Sequence, residues 1–176
     1  MTDYNSLVKK YGIGRTPQLC QDALIEELQE LLKDQKYTGP GGSKKTITVY
    51  KQDLPIPTDN DVDADTNDAP APYIVVSMSG GSIKDDNSTQ NVDFSLVICC
   101  YDDGLDRLGF QDVANIKEDI IQHLCTRPYF GGCFTVLKPI AWALQVEPSE
   151  PYYYGAINFT CTAPAMTQDT ELGELI

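Results

Sequence analysis

The chain has 176 residues, 41% hydrophobic and 22% charged, with a net charge of -13. That length suits one domain with a real core, and no apolar run approaches the roughly 18 residues of a spanning helix. The charge argues against a protein that grips nucleic acid through phosphates. It leaves solubility, a DNA-like decoy surface, or a surface that DNA passes without sticking.

In chain order, residues 1–15 are polar and mixed, and read as a flexible arm. Residues Met1 to Ser6 lack the apolar core of a signal peptide, so the expected compartment is the cytosol. Thr16-Pro17 starts a helix: a capping hydroxyl, then Pro where no N–H is needed. Leu24, Leu28, Leu31 and Leu32 follow on one face. Gly39-Pro40-Gly41-Gly42 ends that segment. Lys45 to Lys51 alternates with β-branched residues and predicts a strand. Residues 54–72 are rich in Pro, Asp, Asn and Ala, and predict a long acidic loop too polar to pack.

Tyr73 to Ser79 predicts a second strand, covered on both faces at its apolar centre. Gly80 to Gln90 predicts a hairpin connection. Val92, Phe94, Leu96, Ile98 and Cys100 alternate with polar residues in a third strand. The period then turns helical, with Val113, Ile116, Ile120 and Leu124 on one stripe. Pro128 and Gly131-Gly132 close that helix. Cys133 to Val146 predicts a strand bent near Pro139. Tyr153 to Thr162 predicts the last strand, with Ile157, Phe159 and Cys161 inward. Residues 165–176 read as a flexible acidic tail. The expected fold is one α+β domain over 16–164. It has a mostly antiparallel, mixed sheet of about five strands under two main helices, in the order α-β-β-β-α-β-β.

Motifs of chemistry are few. Asp59, Asp61, Asp63 and Asp65 alternate like the first ligands of a calcium loop, but Ala64 and Pro70 stand where that loop needs Gly and Glu. With Asp68 they form an acidic loop that could line a lumen or meet a partner. Gly39 to Thr46 departs from a phosphate loop, because Ser43 precedes Lys44 and a strand follows. The single histidine, His123, has no nucleophile partner by pattern and reads as structural. Asp85-Asp86 and Asp102-Asp103 read as turn residues. None of the six cysteines has the spacing of a zinc or redox motif, so buried thiols are expected. No catalytic residue, cofactor or metal site is expected. Tyr152, Tyr153 and Tyr154 point alternately to opposite faces of a strand, and they serve either the domain's own core or a partner.

Several of these residues together carry a resemblance. Tyr101-Asp102-Asp103 is followed by Gly109-Phe110-Gln111-Asp112-Val113 and Asn115-Ile116 opening a helix. Gly132, Phe134 and Leu137 lead into Pro139-Ile140-Ala141-Trp142. Pro151-Tyr152-Tyr153-Tyr154-Gly155 starts a strand that ends at Pro164. Over residues 91–164 the chain resembles the tail terminator and tail-completion (head–tail joining) proteins of long-tailed bacteriophages and prophages. The resemblance implies a structural virion protein, not an enzyme. It implies a homo-oligomeric ring, a hexamer in that family, which caps the tail tube, stops its polymerisation and offers the head-joining surface. The implied partners are further copies of itself, a tail tube protein and a head–tail connector. DNA would be a passing, unbound duplex, and no membrane is involved. The implied place is the host cytoplasm during assembly, then the head-proximal end of the tail. Trp142, Tyr152, Tyr153 and Tyr154 are the candidate contact residues. Two alternatives stay open: another neck or connector protein, and an acidic DNA mimic that inhibits a DNA-binding protein.

Overall fold

The computed structural model describes residues 16–39, 42–55, 71–85, 88–105, 108–147 and 149–164. The expected arm (1–15), tail (165–176) and most of the acidic loop, including Asp59, Asp61, Asp63, Asp65 and Asp68, lie outside them. The main sheet has six strands in the order β3-β4-β5-β8-β7-β6: β3 (Thr48–Lys51), β4 (Tyr73–Ile83), β5 (Gln90–Tyr101), β8 (Tyr152–Ala163), β7 (Phe134–Leu144) and β6 (Tyr129–Phe130). Only β3 and β4 run parallel; every other pair is antiparallel. Helices α1 (Thr16–Leu32) and α2 (Gly109–Thr126) lie on one face of this sheet. The result is a single α+β domain, as expected, with more strands than the five foreseen.

Both helices form where the apolar period demands. Leu24, Leu28 and Leu32 of α1, with Val113, Ile116, Ile120 and Leu124 of α2, are all buried. They meet Ile74 and Val76 of β4, alternate residues Val92 to Cys100 of β5, and Ile157, Phe159 and Cys161 of β8. Burying one such side chain contributes about 1.5–3 kcal/mol, so this layer dominates the stability. His123 Nε2 lies 2.8 Å from Glu27 Oε1 and ties α2 to α1. That is the structural role expected of the lone histidine.

Two glycines set how closely α2 approaches the sheet. A Cβ on Gly155 would sit 2.7 Å from Val113 Cγ1, and one on Gly109 would sit 2.5 Å from the Tyr153 ring. Side chains at these positions would push the helix off β8.

Several expected boundaries need correction. The single strand Lys45–Lys51 is two pieces. Lys44–Lys45 (β2) pairs with Tyr37–Thr38 (β1) in a separate two-stranded sheet, and only Thr48–Lys51 joins the main sheet. Between the pieces Ile47 turns its side chain onto the core. The order α-β-β-β-α-β-β therefore lengthens by β1, β2 and β6, short strands that carry too few residues to show a period. Strand β4 does not stop at Ser79. It continues to Ile83 opposite Gln90, with a register shift between Met78 and Gly80. Gly81 makes this extension possible, since a Cβ there would lie 2.5 Å from Asn91 O. At the far end of the acidic loop, Ala71 and Pro72 are buried rather than solvated. Pro72 O accepts the Thr48 N–H at 3.2 Å, which docks this end against β3. The bend at Pro139 is present as a register break between Leu137 and Ala141, where Pro has no N–H to offer.

Candidate assembly surface

The face of the sheet turned away from α1 and α2 is aromatic at one end and polar at the other. Cross-strand register places Tyr73, Cys99 and Tyr154 in one row, and Tyr101 beside Tyr152 in the next. Tyr101 and Tyr152 meet edge to face with centroids 5.4 Å apart, and Tyr50 and Tyr73 at 6.2 Å. Ala71, Val75 and Val97 complete this second, smaller apolar cluster. Towards the other end the rows become Ser77, Ser95 and Asn158, then Asp93 and Thr160. Thr160 Oγ1 donates to Asp93 Oδ1 at 2.6 Å. Burial raises the phenol pKa values of Tyr73 and Tyr154, and the neighbouring Cys99 adds to both shifts. These hydroxyls are neutral, and the cluster is an uncharged packing surface.

The expected contact residues divide between the two faces. Tyr152 and Tyr154 join the cluster on the face away from α1 and α2, whereas Tyr153 packs against the main core beneath α2. The sequence left open whether these tyrosines serve the core or a partner. Within the chain all three pack, and Tyr152, Tyr153 and Tyr154 each keep some exposed surface. Trp142 lies opposite Ile157, hence on the helix side, and is 54% exposed. Its ring stacks under the Lys117 ammonium at 4.0 Å, and that ammonium also donates to Glu118 Oε2 at 3.0 Å.

Other apolar residues that the sequence did not single out as a surface are exposed as well. Phe110 at the start of α2 is 49% exposed, and Val146 beyond β7 is 95% exposed. Leu105 and Leu108, on the segment before α2, are exposed as well. A cavity of about 270 Å³ is lined by Phe110 and Val146 together with Val113, Leu144 and Tyr153 among others. The sequence reading ran the strand on to Val146, whereas β7 ends at Leu144 and leaves Val146 beyond it in water. Strand β7 also presents an open edge. β6 covers it only at Phe134 and Thr135, so from Leu137 to Leu144 its outer side has no strand partner among the described residues.

Groups suited to chemistry are dispersed. Asp102 Oδ1 accepts the Gly104 N–H at 2.9 Å, and Asp85 and Ser88 bond each other across a turn, so these acids shape loops. Asp112 sits in the first turn of α2 with its carboxyl raised above the usual range by burial, Lys44 opposing and Asp102 adding to that shift. Cys20, Cys99, Cys100 and Cys161 are buried; Cys133 is half-buried, and Cys125 is exposed, contrary to the general expectation for the thiols. Among the described residues no three His, Cys, Asp or Glu side chains converge as metal ligands.

No family model and no curated protein matches the sequence. Among solved structures, one chain aligns over 88% of this chain and all of its own length, at 15% identity and a TM-score of 0.50. Its name carries no functional description, and the likeness is one of fold.

Proposed function

We propose that the protein is a structural component of a phage or prophage tail: a tail terminator that assembles as a homo-oligomeric ring on the tube. One observation carries this reading. Phe110 and Val146 expose apolar surface beside one cavity, and Trp142 on β7, whose outer edge from Leu137 has no strand partner among the described residues, is half exposed as well. Monomeric soluble proteins rarely leave large contiguous apolar patches in water, and larger ones mark interaction sites. An open strand edge likewise invites pairing with another chain. The same segments, from Gly109 to Val113 and from Pro139 to Trp142, belong to the pattern that resembles the terminator family.

The ring's copies supply partners for the patch, and the tube protein and the head–tail connector would meet its two rims. The net charge of -13 suits a ring crossed by DNA, because like charge keeps the duplex from adhering. A neck adaptor would share these surfaces and differ in which end of which particle it meets.

The test is the mass of the purified protein in solution by light scattering, alone and with tube protein, followed by electron microscopy. A closed ring at the tube end is expected. Trp142→Ser should abolish assembly while leaving the helical circular dichroism unchanged, since the side chain is half exposed. A protein that stays monomeric on finished tubes refutes the proposal.

A further inference from the structure

We infer that strand β7 pairs edge to edge with β7 of a second copy of this chain, antiparallel about a two-fold axis at Trp142. The starting observation is an apolar edge left in water. Leu137, Ala141, Trp142 and Ala143 are exposed, while Ile140 and Leu144 are half-buried. β6 covers β7 only at Phe134 and Thr135, and Val136 N donates to Pro128 O at 2.8 Å. Past that point the outer side of β7 has no strand partner among the described residues. The register tells inner from outer groups. Gln145 N donates inward to Tyr154 O at 3.0 Å, continuing the ladder in which Ala143 lies opposite Ala156. Antiparallel alternation therefore turns the N–H and C=O of Trp142 and Leu144 outward. Proteins blunt such edges with charge or Pro. Here Lys138 and Pro139 guard only the first part, and Ile140 to Leu144 carries neither.

Charge complementarity selects the occupant. Lys138 stands four residues before Trp142 and Glu147 five after it, and both are exposed. Antiparallel pairing centred on Trp142 brings Lys138 of each copy to the end where its mate carries Glu147. Parallel pairing would set like charges together. The sheet's other terminal strand, β3, is four residues long, and its Lys51 is held by Asp22 at 2.6 Å. It is too short to cover β7, so β7 of a second copy matches in length as well as in charge. The axis stands normal to the sheet, and the helices of both copies stay on one face. The two Trp142 rings, each under its own Lys117, lie side by side on that face. Such a contact is isologous: it pairs copies without itself closing a ring. The inference thus goes beyond the ring reading and stands without it.

The experiment uses the full chain with Cys125→Ser, which removes the exposed thiol. One preparation adds Ala141→Cys and another Ala143→Cys. With Trp142 on the axis, residue 141 of one copy faces residue 143 of the other at about 4.5 Å between Cα atoms, whereas identical residues lie diagonally. The two preparations are mixed in reductant so that copies exchange, then treated with oxidised glutathione. Mass spectrometry should find 141–143 disulfides at least about fivefold above the dimers either variant forms alone, because only that pair has bridging geometry. Sedimentation of the unaltered chain should show a concentration-dependent dimer. Lys138→Glu should raise its dissociation constant about tenfold, since repulsion replaces attraction at both ends of the contact. Adding Glu147→Lys should restore it. A chain monomeric at every concentration, disulfides that favour another register, or a dimer indifferent to both charges overturns the inference. Rings on tubes without the 141–143 linkage overturn it and leave the ring reading standing. Linked dimers that never cap a tube uphold it and refute the ring reading.

Discussion

Replacing Gly155 by Ala tests the account of how α2 seats on the sheet. The new Cβ would lie 2.7 Å from Val113 Cγ1 and 3.2 Å from Leu144 Cδ2, while Ala143 O at 3.6 Å is in ordinary contact. Val113 is buried and belongs to a helix anchored further along by Ile116, Ile120 and Leu124, so it has little room to withdraw. Overpacking of this kind costs about 1–3 kcal/mol. Against it stands a gain of about 0.4–1 kcal/mol from restricting the unfolded chain. The net expectation is a loss of about 1–2 kcal/mol, the overpacking winning because one contact is far inside van der Waals range. For a domain of this size that lowers Tm by about 2–8 °C.

The assay is urea unfolding followed by circular dichroism, with Gly155→Ala, Val113→Ala and the double variant compared. Val113→Ala alone opens a cavity and destabilises. In the double variant the alanine methyl occupies space that Val113 vacates. The two losses should therefore fail to add, with a favourable coupling of at least about 0.5 kcal/mol. Strictly additive losses, or a Gly155→Ala protein as stable as the parent, would refute the close-approach argument.

Three further outcomes follow from the same packing. Gln21 is buried on α1, and its Nε2 donates to Val76 O at 2.8 Å and to Gln52 Oε1 at 3.1 Å. Gln21→Ala should cost about 1–3 kcal/mol in urea unfolding, because the pin between α1 and β4 is lost. A thiol reagent at neutral pH should modify Cys125 rapidly and the half-buried Cys133, pushed up to about 11 by burial, more slowly. The other four thiols should react only on unfolding; fast reaction of a third would contradict the packing. Tyr37, Tyr73 and Tyr154 have phenols raised above 10 by burial. The folded state then holds protons that the unfolded chain has released, so stability falls as pH rises past about 10. Urea midpoints between pH 8 and 11 should show this decline, and Tyr73→Phe should flatten it.

Much of the fold was legible because burial has a period. The stripe Val113, Ile116, Ile120 and Leu124 and the alternation Val92 to Cys100 each state a face without help from distant residues. The short strands were not legible, since Tyr37–Thr38, Lys44–Lys45 and Tyr129–Phe130 are too brief to carry a period. The extension of β4 through Gly80 and Gly81 was hidden for another reason. Glycines normally signal a turn, and only the close approach of Asn91 O shows why one is needed within a strand.

The candidate surface was legible in part. Trp142 and the three consecutive tyrosines stood out by type, and their strand assignment dictated that Tyr153 must oppose Tyr152 and Tyr154. Which face each joins depended on where the helices lie. That is decided by sheet order, which sets β8 between β5 and β7 and lays α2 over Gly155. The meeting of Tyr73, Cys99 and Tyr154 depended on register between strands far apart in sequence. The meeting of Phe110 and Val146 at one cavity depended on α2 crossing the start of β8. By itself the sequence determined which residues seek burial and which helices and long strands they form, because those preferences act between near neighbours. Only the tertiary structure decided which apolar residues remain in water, because that is set by what the rest of the chain leaves uncovered.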